Sequence, residues 1–366
     1  MRNATTRLLT RADLSTLISA HGADTLMGDM IAAIETAFVS FDEAKCTVPV
    51  RSGFSYTAPR PGLVEWMPIL RQSDHVTLKM VGYHPENPGW ANLPTIQSMV
   101  GRWDTDTGRL VAICEGGLLT ALRTGAASSV ASKALAKADA STLGLIGAGA
   151  QAVTQLHALS QVFDLSCVLI HDSQPAHAAS FPSRVAGRLK AGVRIETSST
   201  QRMLAEADII CTATTVAPGD GPLFSSAADA KAHLHVNAIG ADFPGKTELP
   251  LDLMQSAFVV PDFTEQAIRE GECQQLRRDE IGMDLTALLQ RPGLQAQLHS
   301  ARTVFDSTGF ALEDDAALSL ILDLAGHYDI GSEIEMETPG LDVLNPYDAA
   351  EPTASSTSPL KLDTLP

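Results

Sequence analysis

The chain has 366 residues, of which 45% are hydrophobic and 19% charged, as is typical of a soluble globular protein large enough for two domains. Its formal net charge of -17 argues against a nucleic acid or an anionic membrane as a partner, because both require clustered lysine and arginine side chains. The five cysteines are far apart without zinc-ligand spacing, and we find no signal peptide or membrane-spanning run. We therefore expect a cytoplasmic protein without a metal site.

The first third of the chain has the short apolar runs and the Pro- and Gly-containing turns of a partly antiparallel sheet. Its predicted strands are residues 64–68, 75–81 and 109–114. A long helix rich in Ala, Ser and Leu is predicted over residues 117–137, where it joins this region to the next.

From residue 141 onward, strand and helix signals alternate. The predicted strands are residues 141–146, 167–170, 193–197, 209–214 and 233–240. The predicted helices are residues 150–162, residues 175–191 with Pro182 as a kink or break, and a segment that includes residues 203–207. Repeated β-α units indicate a parallel sheet with right-handed crossovers. A later apolar helix, residues 312–325, has no role in such units, so we expect it to pack on the first domain.

A glycine-rich turn lies between the first strand and the first helix of the alternating region. Residues 147–152 form a GxGxxA pattern, in which Gly147 permits the tight turn and Gly149 lets the backbone approach a pyrophosphate. Asp172 ends the next strand, about 25 residues further on, where an acid can bind ribose hydroxyls and would repel a 2′-phosphate. The combination predicts bound NAD. The alternatives are a glycine turn in another doubly wound protein and, for Asp172, a solvated turn acid.

These elements together predict an α/β protein. A Rossmann-type NAD-binding domain would comprise residues 126–307, and a discontinuous α+β domain for substrate binding and dimerisation would comprise residues 1–125 and 308–338. Residues 339–366 are rich in Pro, Ser, Thr and Asp, which predicts a disordered tail.

Asp242 lies in a glycine-flanked turn directly after the apolar strand 233–240. The carboxyl ends of parallel strands are where open α/β sheets bind their ligands. Taken alone, however, the position favours an acid that caps the next turn or helix. His233 and His235 would share a face of the same strand, but no third ligand accompanies them, so core or rim positions are favoured over a metal site.

Two predicted strands of the first domain carry a charge among apolar residues, Glu65 in one and Lys79 in the other. A buried charge is costly unless it is paired, so the two either neutralise each other across neighbouring strands or face a zwitterionic ligand in a polar pocket. Arg123 begins a helical segment of small residues, where it could bind a carboxylate bidentately or form an ordinary surface salt bridge. Arg51 lies in a predicted loop, where a solvated side chain and a ligand contact are both possible interpretations.

Several segments together resemble the ornithine cyclodeaminase/mu-crystallin family, over residues 51–335. They are residues 64–68, 78–79, 82–85, 120–126, 147–151, 240–249, 269–276 and 305–314. The GKTEL and EGExQQL runs resemble the cyclodeaminases of that family, and residues 118–128 and 151–160 resemble those that form pipecolate from lysine. Phe243-Pro244 differs from the lysine enzymes, which leaves lysine and ornithine both open.

The resemblance implies a role for each candidate residue. Asp242 would be the acid and base at the reacting carbon, and Glu65 would hold the side-chain ammonium of the substrate. Arg51, Lys79 and Arg123 would bind the substrate carboxylate, with Thr308 close to the substrate. The residues lining the NAD site would be Thr95, Arg123, Gly147, Gly149, Ala150, Gln151, Asp172, Thr214, Ile239, Gly240, Ala241, Asp242, Lys246 and Ser307.

The reaction implied is conversion of L-lysine to L-pipecolate and ammonia by oxidation, ring closure and re-reduction, with no net redox change. The alternatives are an ornithine cyclodeaminase that forms proline and an NAD-linked amino-acid dehydrogenase or ketimine reductase. A ligand-binding protein without activity is disfavoured, because both Asp242 and Glu65 are present. Leu63 and Ile96 are candidates for the pocket walls. The resemblance also implies a homodimer formed through the first domain.

Overall fold

The computed structural model of the protein describes residues 5–336, 342–345 and 347. Most of the predicted disordered tail, residues 339–366, lies outside the described residues. No helix within the described residues is long and apolar enough to cross a membrane.

Strands and helices are numbered here in chain order. The strands are β1 (Thr6–Leu9), β2 (Cys46–Thr47), β3 (Ser52–Tyr56), β4 (Gly62–Arg71), β5 (His75–Tyr83), β6 (Ile96–Asp104), β7 (Leu110–Glu115), β8 (Thr142–Ile146), β9 (Cys167–His171), β10 (Arg194–Thr197), β11 (Ile209–Thr212), β12 (His235–Ala238), β13 (Phe258–Pro261), β14 (Thr303–Asp306) and β15 (Ser332–Ile334). The α-helices are α1 (Arg11–His21), α2 (Ala23–Val39), α3 (Asn87–Trp90), α4 (Gly116–Leu135), α5 (Ala150–Val162), α6 (Pro175–Arg184), α7 (Thr200–Glu206), α8 (Leu251–Ser256), α9 (Thr264–Glu270), α10 (Leu285–Leu289), α11 (Pro292–Leu298) and α12 (Ala311–Tyr328). The segments Glu272–Gln275 and Arg278–Glu280 form short 3₁₀ helices.

The first sheet is mostly antiparallel. Its strand order is β15-β1-β7-β6-β5-β4-β2, with β3 paired to β4 off this path. The register places Met67, Lys79 and Val100 opposite one another on β4, β5 and β6. Because side chains alternate along a strand, Glu65 shares the face of Met67 and Lys79, and α12 packs on this face.

The second sheet is parallel, with the order β10-β9-β8-β11-β12-β14-β13. The chain runs outward from β8 through β9 to β10, then crosses back to β11 and continues the other way. This reversal creates a crevice at the carboxyl ends of β8 and β11, the position at which doubly wound sheets bind ligands. The predicted α/β class is thereby confirmed.

Helix α4 connects the two sheets, and its small residues let it pack closely. A Cβ atom on Gly125 would lie 2.5 Å from the Thr154 carbonyl oxygen of α5, so only a residue without a side chain fits at this contact. The buried residues of α4, among them Ala126, Ala127 and Val130, belong to a core that also includes Leu26 of α2 and Leu318 of α12. The expected packing of the late apolar helix on the first sheet is thus observed.

Several predicted boundaries were wrong. The helix expected over residues 175–191 ends at Arg184, two residues after Pro182, and Gly187 in the following turn has a φ of 76°, which an α-helix does not contain. The strand expected from residue 233 begins at His235. His233 precedes it and lies 3.3 Å from Asp208, so the two histidines do not form an alternating pair on the strand.

A buried aspartate attaches the start of α12 to the first sheet. Asp315 accepts hydrogen bonds from Arg71 Nε (2.8 Å), Arg102 Nη2 (2.8 Å) and Thr77 Oγ1 (2.6 Å), and His75 Nε2 lies 2.7 Å away. Burial opposes ionisation, but the bonds from His75 and Thr77 and the charge of Arg102 together lower the pKa of Asp315 well below its usual range.

We expect Asp315→Asn to lower the free energy of unfolding by about 3–5 kcal/mol, because it leaves two partly buried arginines without their shared anion. Since the folded-state pKa is lowered, the wild-type contribution is present above the ordinary aspartate pKa of ~4 and is lost only as the pH falls through the folded-state value. Denaturant unfolding at neutral pH measures the change. The control is Asp323→Asn at an exposed position of the same helix, which should change stability by less than about 0.5 kcal/mol. Equal stability of the two variants would contradict this role.

Candidate active site

A cluster of buried charges lies where the first sheet, α4 and the first turn of α12 meet. Asp314 accepts hydrogen bonds from Lys79 Nζ (3.0 Å) and Arg123 Nε (3.0 Å), and Glu313 accepts one from Arg123 Nη1 (2.7 Å). All four side chains are buried. Lys79 therefore pairs with Asp314 and does not neutralise Glu65, and the alternative of a surface salt bridge for Arg123 is wrong.

Burial has opposite effects on the two kinds of charge in this cluster. It lowers the pKa of Lys79 to about 8, an effect that the neighbouring charge of Arg123 strengthens and Asp314 opposes. It raises the pKa of Glu313 to about 8, although Arg123 favours the ionised form. Burial thus shifts the pKa values of both groups toward neutrality from opposite directions.

Arg51 is held from three sides and is not a solvated side chain. Its Nε lies 2.7 Å from Glu270 Oε1, its Nη1 lies 3.5 Å from Glu65 Oε2, and its Nη2 donates to the Thr308 carbonyl. The contact with Glu270 is a short ion pair in which the N–H is poorly aligned with the oxygen. Arg51 thus connects β4 of the first sheet to α9 and to the loop after β14.

Glu270 is a site residue that the sequence analysis missed. Burial raises its pKa to about 7, and the charges of Glu65 and Asp242 add to this, while Arg51 opposes it. Burial likewise raises the pKa of Glu65. The segment 269–276 is one of those that carry the family resemblance, but a glutamate at the end of a short helix carries no local signal of a partner more than 200 residues away.

Asp242 follows β12 at the carboxyl edge of the parallel sheet and is about one-third exposed. Its Oδ1 accepts a hydrogen bond from Lys246 Nζ at 2.9 Å, and Lys246 also lies over the Tyr83 ring at 5.6 Å. Within the described part of the chain, the Asp242 carboxylate accepts no hydrogen bond from a backbone N–H, so the interpretation of Asp242 as a cap is wrong. The carbonyl of Phe243 accepts the Lys246 N–H at 3.0 Å and closes the turn that joins acid and lysine.

The glycine turn has the geometry expected of a dinucleotide site. Gly147 has a φ of 96°, and a Cβ atom there would lie 2.4 Å from the Ala213 carbonyl oxygen. Gly149 precedes α5 with no atom within 4 Å of an added Cβ atom, so a ligand can approach the helix start. Asp172 accepts the Ala148 N–H at 2.7 Å and the Gln174 N–H at 2.8 Å, which holds its carboxylate beside the turn.

The remaining candidates at the parallel sheet follow three neighbouring strands. The Ile239 N–H donates to the Thr212 carbonyl, and the Ser307 N–H donates to the Ala238 carbonyl. These two bonds align the loops after β11, β12 and β14. Ser307 Oγ is buried and has no hydrogen-bond partner among the described residues. The residues brought together at these loops are Thr214, Ile239, Gly240, Ala241, Asp242, Lys246, Ser307 and Thr308.

Other candidates lie further apart. Ala150 and Gln151 begin α5 next to the glycine turn. Thr95 precedes β6, where its carbonyl accepts the His84 N–H at 2.8 Å, and no hydrogen bond connects it to the residues of the parallel sheet. His235 is buried between Thr303 and Asn237, and the described residues contain no group of three side chains suited to hold a metal ion.

Comparison with known proteins identifies the family of the chain. A profile of the "Ornithine cyclodeaminase/mu-crystallin family" matches residues 13–327. The L-lysine cyclodeaminase of Streptomyces rapamycinicus is 42% identical over 343 residues, which cover 93% of this chain and 99% of that protein.

Two solved structures share the fold closely. A lysine cyclodeaminase, described with the recognition of L-lysine, L-ornithine and L-2,4-diaminobutyric acid, superposes with a TM-score of 0.90 at 47% identity and covers 94% of this chain and 99% of its own. An archaeal alanine dehydrogenase dimer with bound NAD superposes with a TM-score of 0.79 at 30% identity, covering 91% and 99%. On the matched length and these identities, the chain belongs to the ornithine cyclodeaminase/mu-crystallin family.

Proposed function

We propose that the protein is an NAD-dependent cyclodeaminase that converts L-lysine to L-pipecolate and ammonia, with L-ornithine to L-proline as the alternative reaction. The observation that carries the proposal is the separation of buried charges around Asp242. Lys79 and Arg123 lie at one end, where Asp314 and Glu313 share their charge. Glu65 and Glu270 lie at the other end, where both contact Arg51. A diamino acid carries complementary charges at its two ends.

We assign residues 126–307 to NAD binding, and residues 1–125 and 308–338 to substrate binding and dimerisation. The open helix start at Gly149, the unpartnered Ser307 Oγ and the acid at Asp172 fit a dinucleotide with free ribose hydroxyls. Bound NAD supplies reversible hydride transfer at the substrate α-carbon. Five free, buried cysteines agree with a reducing compartment such as the cytoplasm.

The two ends of the site would hold the substrate in one orientation. Within the described residues, Arg123 uses Nε and Nη1 for Asp314 and Glu313, which leaves Nη2 for the substrate carboxylate beside Lys79. Glu65 would receive the ω-ammonium. Holding both ends makes attack of the ω-amine on the α-carbon effectively unimolecular, an advantage of roughly 7–11 kcal/mol.

Proton transfers accompany each step. The α-amine leaves as ammonia after the ω-amine has lost a proton and attacked the α-imine carbon. Asp242 suits these transfers, because its carboxylate can accept a proton and return it. The resulting cyclic imine is then reduced at the same carbon from which hydride was removed, so substrate and product have the same oxidation state.

The choice between lysine and ornithine depends on one methylene group, which is typically worth only ~1–3 kcal/mol. Leu63, Tyr83 and Ile96 lie opposite one another on β4, β5 and β6, on the face that carries Glu65. We propose them as the wall that limits substrate length, and we expect both diamino acids to react.

Asp242→Asn should lower kcat at least about 100-fold, because the amide can neither accept nor return a proton at the reacting carbon. The assay measures ammonia and cyclic amino acid formed from L-lysine or L-ornithine with NAD, and NAD affinity should stay nearly unchanged. The control is Asp220→Asn at an exposed turn. Stoichiometric accumulation of NADH by the wild-type protein would favour a dehydrogenase and contradict the proposal.

The lowered pKa of Lys79 predicts a pH dependence. Lys79 is cationic below about pH 8 and loses its charge above that value, so kcat/KM for L-lysine should fall on the alkaline side near pH 8. In Lys79→Arg the side chain stays charged, and the alkaline limb should move to higher pH even if activity is lower overall. An unchanged limb in this variant would remove Lys79 from carboxylate binding.

We further propose a homodimer that forms through the outer face of the first sheet. Trp66, Met80 and Met99 lie opposite one another on this face, and both methionines are 38% exposed. Phe54 is 69% exposed and contacts Trp66 with the ring centroids 5.5 Å apart. A continuous apolar face on a sheet is characteristic of a subunit interface.

Met80→Glu should therefore give a monomer or a much weaker dimer, because it would bury a carboxylate between the first sheets of the two subunits. Sedimentation equilibrium measures the change. Leu251→Glu is the control, since Leu251 is 45% exposed on α8 away from this face. A wild-type protein that is monomeric at micromolar concentration would contradict the proposal, as would an unaltered dimer of Met80→Glu.

A further inference from the structure

Glu248 is a buried acid with no role in the reaction described above, and it binds two loops of the site at once. Its Oε1 accepts hydrogen bonds from the Thr214 N–H (2.7 Å) and the Thr214 hydroxyl (2.6 Å). Its Oε2 accepts one from the Gly240 N–H (3.0 Å). One carboxylate thus joins the loop after β11 to the loop after β12.

The backbone of Glu248 is held in turn by other buried acids. Glu272 accepts the Glu248 N–H at 2.6 Å and the Leu249 N–H at 3.3 Å. Asp306, at the end of β14, accepts the Glu272 N–H at 3.0 Å and the Cys273 N–H at 2.8 Å. Three fully buried carboxylates therefore connect the carboxyl ends of β14, β12 and β11 through backbone amides.

Glycines let the backbone lie directly against these acids. A Cβ atom on Gly240 would lie 2.2 Å from Glu248 Oε1, and one on Gly271 would lie 2.5 Å from Asp306 Oδ2. Both distances are too short for any side chain. The loop that begins at Gly240 is consequently fixed against the carboxylate of Glu248.

Asp242 lies two residues after Gly240, within the loop that Glu248 closes at its other end. The carboxylate of Asp242 bonds to Lys246 of the same loop, so its position follows that of the loop. We propose that Glu248 is a positioning residue, which places Asp242 and Thr214 at fixed positions relative to each other and hence relative to the substrate α-carbon and the NAD site. This inference rests on the proposed cyclodeaminase function.

A carboxylate suits this task better than an amide. Both oxygens of Glu248 face N–H donors, so Glu248→Gln would turn one acceptor into a donor that points at another N–H. The two loops would then separate by a fraction of an ångström. Misplacement of a catalytic group by about 1 Å can lower a rate roughly 100-fold.

The test compares Glu248→Gln with the wild-type protein and with Glu43→Gln, a control at an exposed position. Titration with NAD counts the competent sites and gives the dissociation constant, and kcat is then expressed per NAD site. We expect kcat per site to fall at least about 10-fold and the NAD dissociation constant to rise several-fold. The KM for L-lysine should change less than about threefold, because Glu65, Lys79 and Arg123 lie on other elements.

A purely structural role would reduce the number of NAD sites and leave kcat per site unchanged, and that outcome would overturn the inference. If Glu248→Gln does not fold, Thr214→Val removes one of the three hydrogen bonds with little change of shape, and its kcat per NAD site should fall in the same way. Failure of the proposed function is a separate outcome, in which the wild-type protein converts neither diamino acid. The NAD dissociation constants of the wild-type and Glu248→Gln proteins would still test whether Glu248 fixes the loops after β11 and β12.

Discussion

A charge that is buried away from water is stable only beside an opposite charge, and this constraint joins the two sheets around the site. Lys79 of the first sheet and Arg123 of α4 share Asp314 of α12. Arg51 pairs with Glu270 of α9, the helix that follows β13 of the parallel sheet. Loss of either partner in such a buried pair costs about 3–5 kcal/mol. The charges that would bind substrate therefore also hold the surrounding elements in place.

The acids around Arg51 exceed the cations there. Glu65 and Glu270 contact Arg51, Asp242 pairs with Lys246 close by, and the pKa values of both glutamates are raised, chiefly by burial. A ligand with two ammonium groups and one carboxylate brings a net positive charge and relieves this excess. An amino acid without the second amine would not. The electrostatic balance thus favours diamino acids before any shape of the pocket is considered.

The sequence predicted those features that leave a local pattern. Short apolar strands and the GxGxxA turn identified the parallel sheet, and charges within apolar strands made Glu65 and Lys79 candidates for a polar site. Strand β6, which mixes Gln, Ser, Gly and Arg with apolar residues, was not predicted. The partners of these charges were also missed, because Lys79 and Asp314 are separated by 235 positions and no local rule connects them. Glu248 and Glu270 remained without a role for the same reason.

The proposed reaction is tested most directly by following the atoms of the substrate. L-lysine labelled with deuterium at the α-carbon and with ¹⁵N at the α-amine would be incubated with the protein and NAD, and both products would be examined by mass spectrometry. The proposed reaction predicts ¹⁵N in the ammonia, because the α-amine is the group that leaves. It also predicts that deuterium is retained at the α-carbon of pipecolate, because the hydride is returned to the same carbon. Label from the α-amine in the ring, or loss of the deuterium to free NADH, would contradict it.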